Sequence, residues 1–213
     1  MHKKAKLSVG IIDLNINNLF SIYQSCLKAG YKTEVINPKK NILNYDIVIL
    51  PGVGAFKSGI NFLKKNKLDE KIYNYLQKPQ SLIYGICLGM QLLFQRSNEF
   101  VKTNGLNLIA GDVVKFRKKT SVKIPHVGWN KIKILDNNQN FFFNKFENKY
   151  FYFIHSFYAS PNENKDIFGT TRYGNLNFCS MAKKRNIFGT QFHPEKSGNL
   201  GIEFLKNLKK LKS

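Results

Sequence analysis

The chain of 213 residues has few cysteines and no apolar run long enough to cross a bilayer. Three cysteines are odd in number and too few for a disulfide framework. A membrane-spanning helix needs about 20 apolar residues, and the first apolar run meets Asp13 too soon to form the core of a signal peptide. We therefore expect a cytoplasmic protein without a membrane partner.

Acidic residues and arginine are also scarce. Thirteen acidic residues face 34 basic ones, which gives a formal charge of +21, but only four of the basic residues are arginine. Recognition of phosphates and base edges favours the planar fork of arginine over lysine, and the lysines are spread along the chain. We expect no specific nucleic-acid partner, although a non-catalytic basic binding protein remains an alternative.

What the sequence does contain is a regular alternation of apolar strands and amphipathic helices over about the first hundred residues. This order predicts right-handed βαβ crossovers and a parallel sheet. Beyond residue 105 the pattern changes to strands linked by short turns, and a helix closes the chain. We expect one domain over residues 1–213, a three-layer α/β/α sandwich with a mostly parallel central sheet and an antiparallel portion in the C-terminal half.

Three local predictions follow from the same pattern. Residues 59–77 read as one helix, residues 88–96 read as another, and the asparagine-rich segment 136–149 reads as a mobile surface segment. Cys26 falls in a predicted helix and Cys179 in a predicted strand, where packing is the expected role for a thiol.

The stretch "SLIYGICLGMQLLF" places Cys87 between Gly85 and Gly89, where a strand-like run becomes helix-like. This is the G-x-nucleophile-x-G spacing of a nucleophile elbow, with cysteine where hydrolases have serine. Unpaired amides at the start of a helix favour a thiolate there. A small buried residue in a tight turn fits the same spacing, so the stretch alone leaves both interpretations open.

A cysteine nucleophile needs a base and a group to orient that base. The stretch "GTQFHPEKSG" supplies His193 and Glu195, which are two residues apart and lie on one side of an extended chain. A solvated surface turn is the alternative for this pair. The elbow and the His-x-Glu motif together predict a Cys-His-Glu acyl-transfer site. We expect no metal site, because the histidines and cysteines lack the spacing of metal ligands.

These motifs resemble those of the class I (triad) glutamine amidotransferases. "LPGVGAF", "PHVGWN" and "YFYFIHSFY" are further similar to one branch, the glutaminase subunits of imidazole glycerol phosphate synthases. The resemblance implies a flavodoxin-like fold and hydrolysis of L-glutamine to glutamate and ammonia, without cofactor or metal. It implies that Cys87 attacks the amide, His193 transfers protons and Glu195 orients the histidine.

The resemblance also implies how the substrate is held. Backbone amides of Leu88 and of the loop Gly52, Val53 and Gly54 are candidate oxyanion donors. Gln91 and Glu99 are expected to contact the α-amino and α-carboxylate end of glutamine, and Gly54 and Ser156 are expected to add backbone contacts. For Glu99, a solvated carboxylate at a helix end is the alternative interpretation.

The implied partner is a (β/α)₈-barrel cyclase subunit in a heterodimer, which uses the ammonia to make imidazole glycerol phosphate and AICAR in histidine biosynthesis. The family positions at that interface are Asn18, Trp129, Tyr152 and Lys196. Asn15 and Asn17 replace glycines that the family usually has near the partner face, although asparagine tolerates a left-handed backbone. A paralogous glutaminase that serves another synthase, such as one modifying sugars, therefore stays open as an alternative.

Overall fold

The computed structural model describes residues 6–15, 19–116, 122–135 and 141–212. The strands are β1 Ser8–Ile12, β2 Lys32–Ile36, β3 Ile47–Leu50, β4 Leu82–Ile86, β5 Phe94–Ser97, β6 Thr103–Asn104, β7 Ile109–Lys115, β8 His126–Ile134, β9 Tyr150–His155, β10 Phe157–Pro161, β11 Ile167–Tyr173, β12 Leu176–Lys184 and β13 Ile187–Thr190. The α-helices are α1 Leu19–Lys28, α2 Phe56–Lys65, α3 Leu68–Leu76, α4 Leu88–Leu92 and α5 Gly198–Asn207.

The first half of the sheet is parallel and has helices on both faces. Its strands run in the order β2-β1-β3-β4-β13, and each neighbouring pair is parallel. Side chains alternate along β3, so that Ile47 and Ile49 join the core beneath α1 and α5, whereas Val48 and Leu50 join the core beneath α2, α3 and α4. The expected three-layer α/β/α sandwich is confirmed.

The C-terminal half adds the antiparallel portion. β13 pairs antiparallel with β12, and the sheet continues through β10, β7, β5 and β6. β11 branches from β12 and pairs with β8, which in turn pairs with β9. No helix of the described residues is long and apolar enough to cross a membrane.

The predicted helix over residues 59–77 is wrong as a single element. α2 ends where the backbone N–H and the side-chain amide of Asn66 both donate to the carbonyl of Phe62. Lys67 then takes a left-handed backbone with φ 54°, which turns the chain before α3 begins. The apolar spacing continues through the break, so the periodicity alone could not reveal it.

The helix predicted over residues 88–96 is shorter than expected. α4 ends at Leu92 because the residues that follow pair as β5 with the distant strand β7.

The predicted mobile segment is also wrong where it is described: Phe143 and Phe146 belong to a short 3₁₀ helix and are fully buried against Phe204. Residues 136–140 lie outside the described part.

The remaining thiols pack as expected. Cys26 and Cys179 are buried and free, and burial raises the pKa of Cys26 to about 12. A neutral thiol without solvent access is inert.

Asn15, which replaces a family glycine, takes the left-handed backbone that asparagine tolerates, with φ 57°, whereas Asn17 lies outside the described residues.

Candidate active site

The nucleophile elbow forms at Cys87, between β4 and α4. Cys87 has φ 52° and ψ −108°, a backbone that residues with side chains rarely adopt. A β-carbon on Gly89 would lie 1.8 Å from the carbonyl oxygen of Leu50, and one on Gly85 would lie 2.6 Å from the amide nitrogen of Met90. Both positions require glycine. Strain of this kind costs about 1–3 kcal/mol and is concentrated at functional sites.

Strand pairing brings the second motif to the same place. β13 lies parallel beside β4 with Thr190 aligned to Ile86, and the amide of Cys87 donates to the carbonyl of Thr190 at 2.7 Å. The segments that follow β4 and β13 both leave the sheet at its carboxyl edge, where open α/β sheets bind ligands. The segment that carries His193 therefore passes directly beside the thiol.

His193 is held by Glu195 in a buried turn. Nδ1 of His193 lies 2.7 Å from Oε1 of Glu195, and the two side chains are 1% and 0% exposed. The turn is anchored to β9, since the amide of His193 donates to the carbonyl of Tyr152 at 2.9 Å. The hydroxyl of Ser197 donates back to the carbonyl of His193 at 2.7 Å. This geometry excludes a solvated surface turn.

The charge state of His193 follows from its neighbours. Burial is the largest single effect and lowers the pKa of His193, but its interactions with Cys87 and Glu195 outweigh it and raise the pKa to about 10. Nε2 is buried without a conventional hydrogen-bond partner among the described residues. His193 is thus an imidazolium at neutral pH that interacts with the thiol of Cys87, the arrangement that stabilises a thiolate.

A pocket of about 320 Å³ opens in front of the elbow. Glu99 lies at its rim, where its Oε2 accepts a hydrogen bond of 2.6 Å from the amide of Phe56 at the start of α2. The helix dipole favours a carboxylate at that position. Glu99 is therefore half-buried and bonded to the start of α2 rather than fully solvated. The pocket is lined by Val53, Gly54, Cys87, Leu88, Gln91, Glu99, Pro125, Ile154, His155, Ser156, Phe157 and Lys196.

The backbone amides that are expected to bind the oxyanion do not all point into the pocket in this structure. The amide of Leu88 donates to the carbonyl of Gly52 at 3.4 Å, so a protein carbonyl occupies the donor that an oxyanion would need. The carbonyl of Gly52 and the amide of Val53 belong to one peptide plane. Rotating that plane would remove the carbonyl from Leu88 and turn the Val53 amide inward. Gly54, with φ 114°, supplies backbone freedom next to it.

Ser156 and two histidines form the far wall. The carbonyl of Ser156 accepts from the amide of Phe116 at 3.2 Å, so its own amide is the backbone group it can offer a ligand. Nδ1 of His155 donates to the carbonyl of Phe157 at 2.8 Å, and its Nε2 lies 3.0 Å from Nδ1 of His126. Burial lowers the pKa of His155 to about 3, which suits a neutral structural histidine better than a catalytic one.

Sequence reasoning missed Gln191, a fully buried side chain beside the nucleophile. Its Nε2 donates to the sulfur of Cys87 at 3.4 Å, and its Oε1 accepts from Gln91 at 3.0 Å. A signal was present, because Gln191 lies two residues before His193 in an extended run and so faces the same side of the chain.

An exposed aromatic surface adjoins the pocket. Trp129 of β8 lies opposite Tyr152 of β9, with ring centres 5.9 Å apart. Trp129 is 52% exposed, which excludes the role of a core anchor. The ammonium of Lys196 lies 5.8 Å from the centre of the Tyr152 ring, and Lys196 also lines the pocket. The fourth expected interface residue, Asn18, lies outside the described residues.

The chain matches the family model described as glutamine amidotransferase class-I over residues 10–210. It is 42% identical over 200 residues to imidazole glycerol phosphate synthase subunit HisH of Caldanaerobacter subterraneus subsp. tengcongensis, a match that covers 93% of this chain and 96% of that protein. The same subunit of Methanocaldococcus jannaschii is 43% identical over 203 residues, covering 95% of this chain and 99% of that protein.

Solved structures share the fold at much lower identity. A crystal structure described as a glutamine amidotransferase superposes with a TM-score of 0.75 at 12% identity, covering 96% of this chain and 98% of its own. A putative GMP synthase protein from Thermoplasma acidophilum gives a TM-score of 0.70 at 17% identity, covering 99% of this chain and 96% of its own.

Proposed function

The chain belongs to the class I glutamine amidotransferase family, and we propose that Cys87, His193 and Glu195 are the triad with which it hydrolyses glutamine. Its function is that of the glutaminase subunit of imidazole glycerol phosphate synthase in histidine biosynthesis. One observation carries the proposed triad: the elbow cysteine lines the pocket, and its thiol interacts with a buried histidine that is itself held by a buried carboxylate.

In the proposed first half-reaction, the Cys87 thiolate attacks the side-chain carbonyl carbon of glutamine, and the carbonyl electron pair moves to oxygen. When this tetrahedral oxyanion collapses, the C–N bond breaks and the leaving nitrogen takes a proton from His193, which releases ammonia. A glutamyl thioester remains on Cys87. Glu195 stabilises the imidazolium and fixes the tautomer that presents Nε2 to the reacting atoms.

In the second half-reaction, neutral His193 takes a proton from water, and the hydroxide oxygen attacks the thioester carbon. Collapse expels the Cys87 thiolate and leaves glutamate, so glutamine and water have become glutamate and ammonia. Release of glutamate equal to the glutamine consumed, by the purified chain with its synthase partner, tests this function directly. Consumption of glutamine without an equal amount of glutamate would contradict it.

The raised pKa of His193 predicts a pH profile. His193 stays protonated until the pH approaches about 10, so activity that needs this proton should persist through neutral pH and fall as the pH rises through that value. Glu195→Gln removes a charge that raises the pKa, so the falling limb should move to lower pH and kcat should drop about a hundredfold. Measuring kcat/KM between pH 6 and 10.5 for both proteins tests this. If the falling limb of the profile lay at the same pH in the variant, Glu195 would not determine the pKa of His193.

A synthase subunit implies a second subunit that consumes the ammonia. We propose that this partner is a (β/α)₈-barrel cyclase, that the heterodimer works in the cytoplasm, and that the partner docks on the surface of Trp129, Tyr152 and Lys196. Two features support this location. Aromatic residues are enriched at interfaces, and this surface is continuous with the pocket, since Lys196 belongs to both. Ammonia released at Cys87 would then emerge beneath the docked subunit.

Trp129→Ala should weaken binding of the cyclase subunit. An exposed tryptophan at the centre of an interface is a frequent hot spot, and a loss of about 2 kcal/mol raises Kd about 30-fold. Titration calorimetry with the purified cyclase subunit measures the change. Leu27→Ala is a suitable control, because Leu27 is an exposed apolar residue of α1 that does not line the pocket. Equal affinity of the two variants would place the interface elsewhere.

A further inference from the structure

One backbone carbonyl fixes the orientation of two buried amides beside the nucleophile. The carbonyl of Phe157 can only accept, so the atom of Gln91 that lies 2.9 Å from it must be the nitrogen Nε2. The other hydrogen of the same nitrogen is directed at Gln191, which must therefore present its oxygen, at 3.0 Å. The nitrogen of Gln191 then necessarily faces the other way, towards the sulfur of Cys87 at 3.4 Å.

This polarity decides what Gln91 shows to the pocket. Both hydrogens of its Nε2 are used by Phe157 and Gln191, which leaves its oxygen Oε1 as the free atom of the amide. Gln91 lines the pocket and is 6% exposed. A carbonyl oxygen is an acceptor, so Gln91 is set to receive a hydrogen bond from an ammonium group and to reject a carboxylate.

Gln191 is held in place between these two groups. It is completely buried, and its backbone amide donates to the carbonyl of Ser180 at 2.9 Å. If the side-chain amide of Gln191 were rotated by 180°, its Nε2 would face Nε2 of Gln91 and its Oε1 would face the sulfur of Cys87. Both contacts would be repulsive in a site without water to compensate them.

We propose that Gln191 has two roles in glutamine hydrolysis: its N–H stabilises the Cys87 thiolate, and its carbonyl positions Gln91 to read the α-ammonium of the substrate. An N–H donor gains most when its acceptor is charged, so the bond to the thiolate is stronger than the bond to a thiol. Activation of the nucleophile and recognition of the amino acid thereby depend on one buried amide. This inference rests on the proposed function of the site.

Two substitutions separate the two roles. Gln191→Met keeps the size and removes both the donor and the acceptor. Gln191→Glu keeps an oxygen for Gln91 and removes the N–H that faces the sulfur. Two readouts apply: alkylation of Cys87 by iodoacetamide as a function of pH in the full chain, and the preference of the complex for glutamine over glutaramate, which lacks the α-amino group.

In Gln191→Met the midpoint of the alkylation curve should rise by about one pH unit, since a hydrogen bond to the thiolate has been lost. In Gln191→Glu it should rise at least as far, because the new carboxylate also repels the thiolate. In Gln191→Met the preference for glutamine over glutaramate should fall about tenfold or more, whereas Gln191→Glu should retain it. Thr190→Val is the matched control, because it removes an adjacent buried hydroxyl that bonds to Tyr84 and Phe192 rather than to Cys87. Its alkylation curve should match that of the unsubstituted chain.

A purely structural role would slow both substrates equally and leave the alkylation midpoint where it is, and that result would overturn the proposal. If Gln191→Met does not fold, an unchanged midpoint in Gln191→Glu overturns it equally well. Alkylation needs no glutamine, so the test is independent of the glutaminase assignment. Failure of the unsubstituted complex to hydrolyse glutamine would refute the proposed function, while the alkylation curves would still decide whether Gln191 acts on the thiolate.

Discussion

Cys87→Ala should lower glutamine hydrolysis by at least about 10⁴-fold, because the proposed covalent catalysis depends on the thiol of Cys87. The two remaining thiols are buried away from the pocket, among core residues. The substitution removes one small side chain next to a strained backbone, so we expect the fold to persist. Glutamate release from glutamine by the complex with the cyclase subunit measures the loss.

A second substrate distinguishes loss of chemistry from loss of structure. The Cys87→Ala complex should still make imidazole glycerol phosphate when ammonium salts replace glutamine, since free ammonia needs no thiol. Cys179→Ser is the matched control, since it changes one buried thiol that does not line the pocket, and it should retain glutamine hydrolysis. Substantial glutamine-dependent activity in Cys87→Ala would remove Cys87 from the mechanism and, with it, the proposed triad.

The two motifs were predictable because each is local. Gly85 and Gly89 flank the thiol at fixed spacing, and the structure shows that any β-carbon there would collide with backbone atoms. His193 and Glu195 lie two apart in an extended segment and meet as expected. The sheet order that brings these motifs together follows from pairing between β4 and β13, which the strand pattern made plausible but did not specify.

Apart from the local break at Asn66 and Lys67, the failures came from interactions distant in the chain. α4 stops early because β7 offers residues 94–97 a strand partner, and no helical periodicity contains that information. In the sequence, Phe143 and Phe146 belong to a polar segment, but in the structure both pack against Phe204 of α5. Gln191 was missed for a similar reason: its importance depends on where Gln91 and Cys87 place their polar atoms in space.

The isolated chain should hydrolyse glutamine slowly and become at least about a hundredfold faster in the complex with the nucleotide ligand and the cyclase partner. The structure supplies the reason, because the carbonyl of Gly52 occupies the amide of Leu88. Restoring one oxyanion donor is worth about 2.7–4 kcal/mol, or 10²- to 10³-fold in kcat. Rotation of the peptide between Gly52 and Val53 would free the Leu88 amide and add the Val53 amide. Steady-state kcat for the chain alone, for the complex, and for the complex with ligand measures this.

Alkylation of Cys87 shows which part of the site is gated. Iodoacetamide reacts with the thiolate without forming a tetrahedral oxyanion, so its rate depends on Cys87 and His193 but not on the oxyanion donors. If the loop is the switch, partner and ligand should raise kcat for glutamine at least about a hundredfold and change the alkylation rate about threefold at most. A parallel rise in both rates would instead locate the control at the thiolate–imidazolium pair. An isolated chain already as fast as the liganded complex would mean that the Gly52 carbonyl does not limit catalysis.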